Sequence, residues 1–132
     1  MTKIYLSDSG PKVSQAIYGF WRWEDVSSTG VVTMEKIVNY CLELGINTFD
    51  HADIYGGYQC EELFGNVLEK KSFRREDVVL FTKCGVRIPN AKFPEVKVKY
   101  CDTSASHVVA SVENSLRNLK TDYIDIFLYR GI

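Results

Sequence analysis

Histidine is scarce in this chain, with His51 and His107 alone among 132 residues, and the four cysteines Cys41, Cys60, Cys84 and Cys101 lie far apart with no CxxC pair. A zinc or iron–sulfur centre needs clustered imidazoles or thiolates, so no metal site is expected and the thiols read as reduced. Charge of one sign is also lacking. Sixteen Lys and Arg stand against 17 Asp and Glu, a net charge of -1, which creates no field to gather nucleic acid or anionic lipid. No apolar run reaches the roughly 20 residues of a membrane span, and residues 1–10 lack the apolar core of a signal peptide. A cytoplasmic protein without nucleic-acid or membrane partners is the expectation.

What is present is ordinary globular composition, 45% hydrophobic and 25% charged, enough for one core and one domain over residues 1–132. Strand and helix signals alternate along the chain, which predicts an α/β fold of parallel βαβ units. A β-hairpin opens it over residues 3–14, where KIYLS and KVSQA flank the turn formers Asp8, Ser9, Gly10 and Pro11. Core strands are expected over residues 16–20, 47–52, 78–83 and 123–129.

The first helix is expected over residues 33–44, with Ile37, Tyr40, Cys41 and Leu44 inward and Gly45 as its stop. The second covers residues 59–70, with Leu63, Phe64, Val67 and Leu68 as its apolar stripe and a charged opposite face. A third reaches residue 118 from an N-cap among Asp102, Thr103 and Ser104, turning Val108, Val112, Leu116 and Leu119 inward. Residues 85–101 contain Pro89 and Pro94 and alternate at Val96, Val98 and Tyr100, the pattern of an extended excursion rather than a helix. Four strands and three helices make half of a (β/α)8 barrel, whose full form needs eight of each and about 250 residues.

In parallel α/β folds the active site lies at the C-terminal strand ends. That filter selects Phe20, Trp21 and Arg22 after the first strand, residues 50–55 after the second, Lys83 after the third and Arg130 after the fourth. Asp50 and Lys83 read equally well as a structural ion pair or a functional one. His51, next to Asp50 on a strand, points to the opposite face and reads as packed. His107 reads as a solvated or capping side chain in the first turn of its helix, Trp23 as packing, and the charged run at residues 69–77 as a solvated helix end.

A free tyrosine, with a pKa of about 10, is a poor proton donor at neutral pH unless a nearby cation favours its phenolate. Lys83, kept charged by Asp50, would do this for Tyr55. The Tyr55 hydroxyl could then serve as a proton donor.

The segment GINTFDHADIYGGY at residues 45–58, Lys83 in LFTKCG, and the stretches KIYLS, YGFWRW and LKTDYIDIFLY closely resemble the aldo-keto reductase family. The phrase DHADIYGGYQCE at residues 50–61, with Phe20-Trp21-Arg22 as a YWR-type turn, points to a bacterial subgroup of it. The resemblance implies the N-terminal half of a TIM barrel, truncated after strand four, and NADPH-dependent reduction of aldehydes or ketones.

It further implies Asp50, Tyr55 and Lys83 as catalytic residues, Phe20, Trp21, Arg22 and Asp50 as cofactor contacts, and Trp21 and Arg130 as substrate contacts. The family's usual histidine after strand four has no counterpart. Arg130 occupies its position or the position of the arginine that follows it. NADP(H) is the implied cofactor, with most of its binding loops, after strands five, seven and eight, outside this chain. Negligible turnover by the chain alone is therefore expected. The alternative is a non-enzymatic half-barrel, a remnant or a self-associating module whose homodimer covers the exposed barrel edges.

Overall fold

The computed structural model describes residues 2–130. Its centre is a four-stranded, wholly parallel sheet in the order β3 (Ile17–Gly19), β4 (Thr48–Asp50), β5 (Val79–Cys84) and β8 (Ile126–Tyr129). Helices α1 (Ser28–Glu43), α3 (Cys60–Glu69) and α4 (Ala105–Leu119) connect successive strands, as parallel pairing requires. The additional α2 (Tyr55–Tyr58) is a single turn.

The hairpin of β1 (Lys3–Tyr5) and β2 (Lys12–Ser14) pairs antiparallel as expected. The Ser14 amide donates to Asn47 Oδ1 at 3.1 Å and to Thr48 Oγ1 at 3.0 Å. These bonds seat the hairpin against the N-terminal end of β4. The opposite end of the sheet is left open.

Side chains alternate across the strands. Phe49 and Leu80, both fully buried, meet Phe20, Met34, Val38, Phe64 and Leu119 in one core under the helices. The other face carries Asp50, Phe81 and Lys83, each only half-buried. His51 packs as expected: it is fully buried, stacked on Phe20 at 4.5 Å and edge-on to Phe64 at 4.6 Å. Neither ring nitrogen has a partner among the described residues, and burial, followed by the charge of Lys83, pushes its pKa down to about 3.

Helix α1 begins five residues before the expected start. Its first turn, with no acidic residue and a glycine, carries weak helix signals. Gly30 lets that turn abut the Asp25 carbonyl, where a Cβ would collide. The buried stripe is Gly30, Met34, Val38 and Cys41, while Tyr40 and Leu44, expected inward, are exposed. Termination follows expectation. Gly45 (φ 83°) turns left-handed, its amide reaching the Leu42 carbonyl at 3.0 Å and the Ile46 amide the Cys41 carbonyl at 2.8 Å, a Schellman ending.

The second correction concerns α3. Glu61 lies at its start among charges expected in solvent, yet is 1% exposed. It accepts from Thr82 Oγ1 of β5 at 2.6 Å and from Ser115 Oγ of α4 at 3.0 Å, so one carboxyl ties three elements together. Burial pushes its pKa up, and the two hydroxyl bonds oppose the shift.

Helix α4 correspondingly turns Ser111, Ser115 and Leu119 inward, while Val108, Val112 and Leu116 are only partly covered. The helices approach closely at Gly65, where a Cβ would run into the Asn118 carbonyl. Ser104 is the N-cap, accepting from the His107 amide at 3.3 Å. All four cysteines are free.

The residue 85–101 connection is an extended arm, as its alternation indicated. Strands β6 (Val86–Arg87) and β7 (Tyr100–Cys101) pair antiparallel at its base. Arg87 braces the interior by bonding Glu95 at 3.1 Å and standing over the Phe93 ring at 5.2 Å.

Candidate active site

Asp50 ends β4, Lys83 is the penultimate residue of β5, and Arg130 directly follows β8. Parallel register brings their strand ends to one edge: Gly19 pairs with Asp50, Asp50 with Phe81, and Lys83 with Leu128. The strand-end residues selected from sequence therefore converge.

Lys83 Nζ donates to Asp50 Oδ1 at 2.7 Å and to the His51 carbonyl at 2.9 Å. Both charged side chains keep just over a quarter of their surface exposed, 27% and 28%, so the pair is not sealed in the core. Asp50 Oδ2 has no hydrogen-bond partner among the described residues, and Gly19 stands beside it without a side chain to cover it.

Tyr55 is half-buried, and Lys83 Nζ lies over its ring, 5.1 Å from the centroid. Among the described residues no hydrogen bond joins that ammonium to the Tyr55 hydroxyl. The cation acts on the ring through space.

After Tyr55 the backbone makes a turn of opposite hand. Gly56, Gly57 and Tyr58 have φ of 62°, 62° and 66°. Left-handed residues cost roughly 1–2 kcal/mol each unless glycine, and two of the three are glycine. Tyr58 is buried and latches the arm. Its hydroxyl accepts from the Ile88 amide at 3.0 Å, its carbonyl accepts from Lys92 Nζ at 2.9 Å, and the Gly57 carbonyl accepts from Asn90 Nδ2 at 3.4 Å.

A cavity of about 380 Å³ opens at this edge, lined among others by Trp21, Asp53, Tyr55, Lys83, Lys99 and Arg130. Trp21 is 67% exposed and Arg22 stacks on its ring at 4.8 Å. Phe20, in contrast, is buried in the core, and only its backbone reaches the site; its amide donates to the Asp50 carbonyl at 3.1 Å. Trp23 packs as expected, edge-on to Phe20 at 5.8 Å, with its indole nitrogen donating to the Asp25 carbonyl.

A larger groove of about 690 Å³ lies at the N-terminal ends of β5 and β8, between Leu68, Phe73 and Leu116. It contains none of the strand-end residues. We place the candidate site in the smaller cavity, where the ionisable groups converge.

Two ionisable lining residues were not singled out from the sequence, although Asp53 falls within the selected segment 50–55. Asp53 lies two residues before Tyr55, and its amide donates to the Lys83 carbonyl at 3.1 Å. It also borders a second cavity of about 420 Å³ behind the arm, shared with Glu61, Arg87 and His107. Burial first, and then the charge of Glu61, push its pKa up to about 7. Its position in the turn after a strand was its only signal. Lys99 comes from the arm, and nothing local marks it.

The aldo/keto reductase family model matches residues 16–129. An uncharacterized oxidoreductase of Bacillus subtilis, YcsN, is 43% identical over 128 residues, 97% of this chain and 42% of that protein. A 6-dehydroglucose reductase of Agrobacterium fabrum is 39% identical, covering 97% of this chain and 43% of that one. Among solved structures, the holo form of aldo-keto reductase AKR11C1 from Bacillus halodurans superposes with a TM-score of 0.78 at 32% identity, over 98% of this chain and 40% of that one. The chain thus spans about two fifths of the length of these relatives.

Proposed function

The chain belongs to the aldo/keto reductase family of oxidoreductases, and from that premise we propose that the cavity is a carbonyl-reducing site with Tyr55 as proton donor and NADPH as reductant. The observation that carries this reading is the junction at Lys83, which lines the cavity together with Tyr55, bonds Asp50 at 2.7 Å and stands over the Tyr55 ring at 5.1 Å.

The residues present fit the nicotinamide end of a dinucleotide. Asp50 Oδ2 has no partner among the described residues and could accept from a ribose hydroxyl, and the exposed Trp21 ring, which lines the cavity, offers a flat apolar wall. When bound, NADPH supplies hydride to the carbonyl carbon.

The chain's own residues manage the proton and the charge. Asp50 keeps Lys83 in place and charged. Lys83 holds a positive charge over the Tyr55 ring, 5.1 Å from its centroid, as the hydroxyl releases its proton to the carbonyl oxygen. Arg130 lines the same cavity as a hydrogen-bond donor and has no proton to relay. We expect weak affinity for NADPH and slow turnover from a chain that spans about two fifths of the length of its relatives.

A second reading is a non-enzymatic half-barrel that self-associates. It draws on the open edges of the sheet at β3 and β8, where Ile17, Leu128 and Tyr129 are exposed. The two readings separate in one assay: NADPH oxidation by the purified chain at millimolar cofactor with a panel of aldehydes and ketones. A carbonyl-dependent rate supports the reductase. No rate with any compound, together with a dimer in sedimentation, supports the half-barrel module.

A further inference from the structure

The ionisable groups around the cavity do not balance. Lys83 is neutralised by Asp50 at 2.7 Å. Lys99, from the arm just before β7, and Arg130, directly after β8, line the same cavity, and neither forms an ion pair among the described residues. Arg22, over the Trp21 ring at 4.8 Å, is likewise without an acidic partner among them. The remaining carboxyl in the lining is Asp53, which burial holds partly protonated near neutral pH, with a pKa of about 7. The excess of charge is therefore positive.

The walls between these cations are apolar in part, with the Trp21 ring, Ile54 and Val86. Low-dielectric walls strengthen the pull of a cation on an anion that displaces water there. A neutral ketone gains nothing from Lys99 and Arg130, which stay hydrated beside it. An anion gains an ammonium and a guanidinium together, and the guanidinium fork matches a carboxylate or phosphate with two parallel hydrogen bonds. Neither cation's backbone is on a loose element, since Arg130 follows the sheet directly and the arm bearing Lys99 is latched to the turn after Tyr55 by Tyr58, Asn90 and Lys92.

We infer that the substrate is a carbonyl compound bearing an anionic group away from the carbonyl, a carboxylate or a phosphate, held by Lys99 and Arg130. The inference rests on the reductase reading and names its substrate class. The carbonyl end meets Tyr55 and the anionic end is drawn towards the arm, so the arm selects substrates by charge.

Calorimetric titration of the purified chain tests this without relying on turnover. Two pairs of probes isolate the charge: 4-oxopentanoate against its methyl ester, and dihydroxyacetone phosphate against dihydroxyacetone. At least one anion should bind about tenfold more tightly than its neutral counterpart. The preference should fall to about onefold in the K99Q/R130Q double variant, both side chains being exposed and outside the core. The pair with the larger ratio identifies carboxylate or phosphate.

Equal binding within both pairs, or a preference that survives the double variant, overturns the inference. The reductase reading fails separately: a charge preference that holds while NADPH reduces neither the keto acid nor the ketose phosphate keeps the anion site and removes the reaction.

Discussion

The Lys83 ammonium lies 2.7 Å from Asp50 Oδ1 and 2.9 Å from the carbonyl oxygen of His51, on the side of the sheet away from the core. Two adjacent residues of β4 and its exit thus hold one cation, and the cation in turn stands over Tyr55. Lys83→Met should lower kcat/KM for ketone reduction by about 10²–10⁴-fold, the range of a lost acid–base partner. Its far-UV circular dichroism should match the wild type, because the pair lies outside the core. Equal rates would remove Lys83 from the chemistry.

Asp53 makes stability depend on pH in a stated direction. Its carboxyl titrates at about 7 when folded and about 3.9 when unfolded. Between those values the folded state binds more protons, so stability falls as pH rises from about 4 to about 7, by at most roughly 4 kcal/mol. Urea unfolding of wild type and Asp53→Asn at pH 5 and pH 7.5 reads this out. His51 works in the opposite sense, its buried neutral ring costing stability as pH falls below about 6.5, but it is common to both proteins and cancels in the difference. A pH-independent difference would contradict the placement of Asp53.

Glu61 joins β5 and α4 through Thr82 and Ser115. Glu61→Ala leaves two buried hydroxyls without a partner, at about 1–3 kcal/mol for such unpaired groups, and the emptied space adds to this. Glu61→Gln, which keeps shape and one acceptor, should cost less. Chemical denaturation checks both, and a loss below about 0.5 kcal/mol for the alanine variant would mean that the network does not hold the helices.

The arm depends on Tyr58. Tyr58→Phe removes the acceptor of the Ile88 amide and keeps the ring against Phe93 at 4.8 Å. Hydrogen exchange should then accelerate in β6 and β7 while β4 and β5 keep their protection. Unchanged exchange across the arm would assign its stability to the Arg87 contacts instead.

The parts of this fold that repeat locally could be read from the sequence. The hairpin followed from its turn residues, the parallel class from alternating signals, and the stop of α1 from Gly45. The strand-end filter also placed Asp50, Tyr55, Lys83 and Arg130 at one edge. What it could not supply was partnership across distance. Glu61 meets Thr82 and Ser115, 21 and 54 residues away, so a buried carboxylate looked like a solvated one. The face of α1 was misread because Val31, Ile37 and Leu42 flank the true stripe closely enough to blur its direction. Lys99 reaches the cavity only because the arm folds back on the turn after Tyr55.

The most direct test of the central claim is the carbonyl-dependent rate of NADPH oxidation in wild type and Tyr55→Phe, measured at saturating ketone and millimolar cofactor. Removing one hydroxyl from a half-buried ring leaves packing unchanged, so the expected result is a slow wild-type rate that falls by about 10²-fold or more with the fold intact. A rate that survives in Tyr55→Phe would contradict Tyr55 as the proton donor.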